Sequence, residues 1–122
     1  MLDKFIVNEK ISGECLAESN LDTVLSLIKE IRNSFPEKTI WLYSGYTWEQ
    51  IMYPVVTDDL NSIRDKIIQI RKDIIKNVDI LVDGEYIDEQ RNLSKKWAGS
   101  DNQRVIDVRQ SLRQNKIILY CD

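Results

Sequence analysis

Histidine is absent from these 122 residues, and cysteine occurs only twice, as Cys15 and Cys121. Without histidine the commonest general base and the commonest metal ligand are missing, so serine–histidine and cysteine–histidine hydrolases are excluded. The two thiols lie towards opposite ends of the sequence, and in an intracellular chain such thiols stay reduced and unpaired. Long apolar runs are also missing. The longest span only a few residues, such as Ile117–Tyr120, far short of the roughly 20 that cross a bilayer. The opening Met1-Leu2-Asp3-Lys4-Phe5 has neither the basic nor the apolar region of a secretory signal. A cytoplasmic location with no membrane partner is therefore expected. A net charge of −3 argues against a surface built to neutralise nucleic-acid phosphates.

What is present is the balance of a globular protein, 43% apolar and 30% charged, on a length suited to one domain and one core. Leu21, Val24, Leu25, Ile28, Ile31 and Phe35 recur at helical spacing, which predicts a helix that ends near Ser34 because Pro36 cannot continue it. Ser19 or Asn20 is the expected cap of that helix. Thr39–Tyr43 is a β-branched and aromatic run closed by Ser44-Gly45, which predicts a buried strand and a turn. Thr47 with Gln50 forms a capping-box pattern opening a short helix. A longer helix is expected over Leu60–Lys76, with Asn77 as its stop. Val78–Val82, ending in Asp83-Gly84, predicts a second strand covered on both faces. Helix and strand alternate, which points to an α/β fold with a mostly parallel sheet. Phe5-Ile6-Val7 holds too few apolar residues to define an element. Asp88–Lys96 reads as a loop, Val105–Val108 as a short strand, Arg109–Gln114 as a helical turn and Lys116–Tyr120 as a closing strand. The domain expected is a single one over residues 1–122, with 105–122 as an extension.

Three segments carry candidate chemistry. Ser12-Gly13-Glu14 is either an ordinary turn or a place where backbone groups approach a ligand. Trp41–Tyr46 and Asp83–Tyr86 each put polar groups and a glycine just past a strand's carboxyl end, the edge where open α/β sheets bind ligands. Trp97-Ala98-Gly99-Ser100-Asp101-Asn102-Gln103-Arg104 is the densest polar cluster, serving either to bind a ligand or to cap the fold. No nucleophile–base pair, phosphate-binding loop or metal motif accompanies them, and no catalytic residue is assigned.

Taken in order, these segments resemble the activating protein of anaerobic ribonucleoside-triphosphate reductase, a radical-SAM family. Ile40–Tyr46 is similar to its W-x-(W/Y)-(S/T)-G-Y segment, Asp79–Tyr86 to its V-D-G-(K/E)-(F/Y) strand end, and Trp97–Arg104 to its W-x-G-S-x-N-Q-R motif. The resemblance implies a partial (β/α) barrel of radical-SAM type, lacking the family's first strand and its C-x-x-x-C-x-x-C loop. On that basis the chain begins inside the helix after that loop and is a truncated form. It further implies a 4Fe–4S cluster and S-adenosylmethionine as the family's cofactors and the reductase large subunit as partner. The family's activity is reductive cleavage of S-adenosylmethionine to place a radical on a glycine of that subunit. Gly13, Glu14, Ser44, Gly45 and Asp83 are assigned to the S-adenosylmethionine side of the cleft. Ser12-Gly13-Glu14-Cys15-Leu16 is shorter than the family's S-G-G-E-P-L, so Gly13 and Glu14 match only part of it. Cys15 and Cys121 do not replace three closely spaced thiolates, so this chain alone is expected to be inactive. The alternative is a non-catalytic remnant, or one piece of a split gene, that binds only the reductase or another protein.

Overall fold

The stripe of apolar side chains over residues 21–34 folds as anticipated into the first helix, α1 (Leu21–Ser34), with Val24 and Ile28 fully buried. The computed structural model describes residues 4–7, 21–54, 62–95 and 97–120. The helical cap expected at Ser19 or Asn20 lies outside them. Within them the chain runs β1 (Lys4–Val7), α1, β2 (Thr39–Tyr43), α2 (Trp48–Met52), α3 (Ser62–Lys76), β3 (Ile80–Asp83), β4 (Arg104–Asp107) and α4 (Val108–Gln114). A single 3-10 turn, Asp88–Gln90, interrupts the long connection between β3 and β4.

The four strands form one open sheet in sequential order, β1-β2-β3-β4. β1 pairs parallel with β2, and β2 pairs parallel with β3 through Trp41↔Ile80, Leu42↔Leu81 and Tyr43↔Val82. β4 is antiparallel to β3, because the chain returns to the sheet without the long helical crossover that a parallel partner needs. Side chains alternate between the two faces. On one face Ile40, Leu42, Leu81 and Ile106 join Val24 and Ile28 of α1 and Ile74 and Ile75 of α3 in the main core. On the other, Trp41, Ile80, Val82 and Val105 form a smaller cluster covered by loop residues. Burying one such aliphatic side chain is worth about 1.5–3 kcal/mol, so the helix-covered face carries most of the packing.

Two expectations are corrected. Phe5-Ile6-Val7, too sparse to define an element and read as lying in a helix, belongs to a strand. β-branched and aromatic residues suit extended backbone, and the parallel register Phe5↔Ile40, Ile6↔Trp41 supplies the pairing that the local sequence does not announce. Conversely, Lys116–Tyr120 is not a strand but makes one isolated bridge, Leu119 with Ile106. α4 ends at Asn115 in the left-handed conformation (φ 54°), and the hydroxyl of Ser111 takes the Ile118 N–H at 2.8 Å. The reversal thus leaves only a short run beside β4.

Asp79 ties the amino end of β3 to three other elements. Its carboxylate accepts from Arg32 of α1 at 2.7 Å, Arg109 of α4 at 2.6 Å and the Ile40 N–H at 2.8 Å. Burial pushes this carboxyl up, but the Ile40 N–H and the Arg109 and Arg32 guanidiniums outweigh it and hold the group below the usual carboxylate range. A carboxylate lowered in the folded state binds its proton more readily when unfolded. Its contribution is therefore complete above the unfolded value of about 3.9 and is lost as pH falls through the lower folded value. Urea midpoints measured at falling pH, from about pH 5 downwards, are expected to drop less steeply in Asp79→Asn than in the parent. Equal slopes would contradict this assignment.

Candidate functional site

The two parallel strands β2 and β3 deliver their carboxyl ends to one edge, and the loops that follow them are tied together. Gly84 donates its N–H to the Tyr46 carbonyl at 2.9 Å, and Ser44 N–H reaches the Val82 carbonyl at 3.1 Å. The Ser44 hydroxyl donates to the Tyr46 carbonyl at 2.7 Å and accepts the Tyr46 N–H at 3.3 Å, which closes the turn around Gly45. Thr47 then caps α2, its hydroxyl accepting the Gln50 N–H and its own N–H donating to the Gln50 side-chain oxygen, which completes a capping box. Between these loops lies a cavity of about 190 Å³ lined by Tyr43, Ser44, Gly45, Gly84, Glu85, Tyr86 and Gln103. It is smaller than the roughly 300–1,000 Å³ of most small-molecule sites. Burial pushes the Tyr43 hydroxyl up, so this group stays a neutral donor.

Gly84 has a positive φ of 86°, a conformation in which a side chain is strained. Gly99 serves a different need. A Cβ there would stand 2.9 Å from the ring of Tyr86, so the missing side chain lets that ring approach the Gly99 backbone.

The structure brings Ser44, Gly45 and Asp83 to the same sheet end, but Asp83 does not face the cavity with a free carboxylate. It is fully buried. One oxygen accepts the Trp48 N–H at 2.9 Å and an Arg104 guanidinium nitrogen at 2.5 Å, and the other accepts the Arg104 backbone N–H at 3.1 Å. Arg104 continues outward to Glu49 of α2 at 2.6 Å. The side-chain hydrogen bond from Arg104 holds the Glu49 carboxyl below its usual range, and the bonds to Asp83 and Glu49 push the Arg104 guanidinium above its own. Gly13 and Glu14, with Cys15 and Cys121, lie outside the described residues.

The segment Trp97–Arg104, read from sequence as a ligand-binding loop or a cap on the fold, forms a brace. Gln103 accepts the Gly99 and Ser100 N–H groups at 2.8 and 3.0 Å and donates to the Gly84 carbonyl at 3.2 Å. Asn102 donates to the Glu85 carbonyl at 2.7 Å, and Ser100 accepts the Ile87 N–H at 3.2 Å. With Arg104 on Asp83, four polar side chains of the segment fasten the loop after β3. Gln103 also lines the cavity, a position that no spacing in the sequence signals because the residues it faces there lie in the loops after β2 and β3.

Fold and cleft together define an open α/β domain with a braced cavity at the carboxyl ends of its parallel strands. The chain belongs to the family of 4Fe–4S single cluster domains, whose profile matches residues 10–106. It is similar to proteins named anaerobic ribonucleoside-triphosphate reductase-activating protein. The Vibrio cholerae protein is 32% identical over 76% of this chain and 50% of its own length. The Enterobacteria phage T4 protein is 33% identical over 76% and 47%, and the Escherichia coli protein 29% identical over 80% and 53%. The chain thus spans about half the length of these curated relatives. No solved structure gives a significant match. No helix among the described residues is long and apolar enough to cross a membrane.

Iron–sulfur clusters are held by cysteine thiolates, ordinarily four. The chain has two cysteines and no histidine, and among the described residues no group of three or more His, Cys, Asp or Glu side chains is placed to hold a metal ion. The donor set does not match what such a cluster takes.

Proposed function

We propose that this chain, as one α/β domain, takes part in activating anaerobic ribonucleoside-triphosphate reductase by binding its large subunit, with cluster thiolates supplied from outside these 122 residues. The observation that carries this reading is the interlock of two of the three segments that resemble the family. Asp79–Tyr86 and Trp97–Arg104 are bound to each other at the sheet edge through Asp83, Asn102, Gln103 and Arg104. Sequential parallel strands with both crossovers over one face are what a slice of a (β/α) barrel requires, which supports a radical-SAM-type origin. Gly13, Glu14, Ser44 and Gly45 remain our assignment for the S-adenosylmethionine side, with Asp83 acting through the loops it fastens. The family chemistry, reductive cleavage of S-adenosylmethionine and a glycyl radical on the large subunit, depends on the cluster, so no step of it is assigned to these residues. A cytoplasmic location accords with that partner.

Binding is measured by anaerobic sedimentation of the purified chain with the purified large subunit. A defined complex at micromolar concentrations is the expected result. Independent sedimentation of the two proteins at all concentrations tested would remove the reading.

A further inference from the structure

The face of the sheet opposite the helices contains Trp41, which is only 3% exposed because two aromatic rings lie on it. Trp97 approaches with ring centroids 5.2 Å apart, and Tyr120 meets it edge-on at 5.3 Å, both within the range of favourable aromatic pairs. Tyr120 arrives there as part of a short segment running antiparallel along the outer edge of β4. Asp107 N–H donates to the Ile118 carbonyl and Tyr120 N–H to the Val105 carbonyl, each at 2.8 Å. These bonds, the Ser111 hydroxyl on the Ile118 N–H and the Tyr120 ring on Trp41 hold it, while Leu119 and Tyr120 stay 48% and 51% exposed. A short segment whose side chains are half exposed has few of the buried apolar contacts that resist local opening.

What such opening would uncover is a built site. It would leave an edge strand with a free carbonyl on Val105 and a free N–H on Asp107, the groups that recruit an added strand. Beside that edge would stand two tryptophan rings. Trp97 has a positive φ of 70° while 45% of its surface is exposed. Strained backbone of this kind clusters at ligand clamps and switch regions.

We propose that residues Ile118–Tyr120 are a displaceable strap, an internal stand-in for an extended peptide with an aromatic side chain that a partner protein adds to β4 over Trp41 and Trp97. The segment now seated there shows the chemistry the groove takes: antiparallel backbone pairing and one aromatic ring. This inference does not depend on the partner being the reductase.

The test uses the full chain. Tyr120→Pro removes both the N–H bonded to Val105 and the ring on Trp41, and circular dichroism checks that it folds. The probe is an acetylated peptide of residues 116–122 with serine in place of Cys121, titrated by tryptophan fluorescence. The peptide is expected to bind Tyr120→Pro with a blue shift, and the parent chain at least about tenfold more weakly, because the tethered strap competes. The same peptide carrying Tyr120→Ala is expected to lose its binding. Should Tyr120→Pro fail to fold, Tyr120→Ala in the full chain keeps the backbone and the same titration decides. Equal affinity for parent and variant, or no binding to a folded variant, would overturn the proposal.

Discussion

Replacing Asp83 by alanine is expected to destabilise the protein by about 3 kcal/mol, seen as a fall of order 10 °C in the thermal midpoint for a domain of this size. The carboxylate is fully buried and accepts three kinds of donor at once: the Trp48 N–H, the Arg104 N–H and the Arg104 guanidinium. Removing it leaves two N–H groups without partners and a guanidinium without its main counter-charge. The loss falls at the low end for broken buried pairs because the Arg104 side chain is 33% exposed and keeps Glu49. Glu49→Ala, by contrast, breaks a pair whose acid is 56% exposed and is expected to cost under about 0.5 kcal/mol. Urea unfolding of both variants separates the two roles open to Asp83. A residue that only faced a ligand would leave stability within about 0.5 kcal/mol of the parent, whereas a brace would not.

The sequence made α1, β2, the capping box and β3 legible because each is marked by local signals: an apolar stripe, a β-branched run, Thr47 with Gln50, a strand closed by Asp83-Gly84. β1 was not, since its strand character comes from pairing with residues some 35 positions on. The antiparallel course of β4 was also hidden, because it follows from how the long 84–103 connection returns, and the expected closing strand at Lys116–Tyr120 is cut to one bridge by the reversal at Asn115. For the site, the order of parallel strands brought Ser44, Gly45 and Asp83 to one edge. The direction of the Asp83 carboxylate was beyond spacing, because its partners Trp48 and Arg104 lie 35 and 21 residues away in sequence. The same holds for Asp79, whose two arginines come from α1 and α4.

This chain belongs to a 4Fe–4S family, and the central proposal is that its own residues do not suffice to hold the cluster. Thiolates are the ligands of such clusters, and they must be deprotonated and close together before metal binding can offset the cost of ordering them. Cys15 and Cys121 are two where three or four are needed, and no histidine is present to stand in. Two chains sharing thiols would reach the number, but not through a single loop that sets their spacing. Cleavage of S-adenosylmethionine by the isolated chain is accordingly expected to be absent. The most direct measurement is a count of iron and acid-labile sulfide per chain after anaerobic reconstitution with ferrous iron and sulfide. The account predicts a small fraction of one cluster per chain; about four irons and four sulfides, retained through gel filtration, would contradict it.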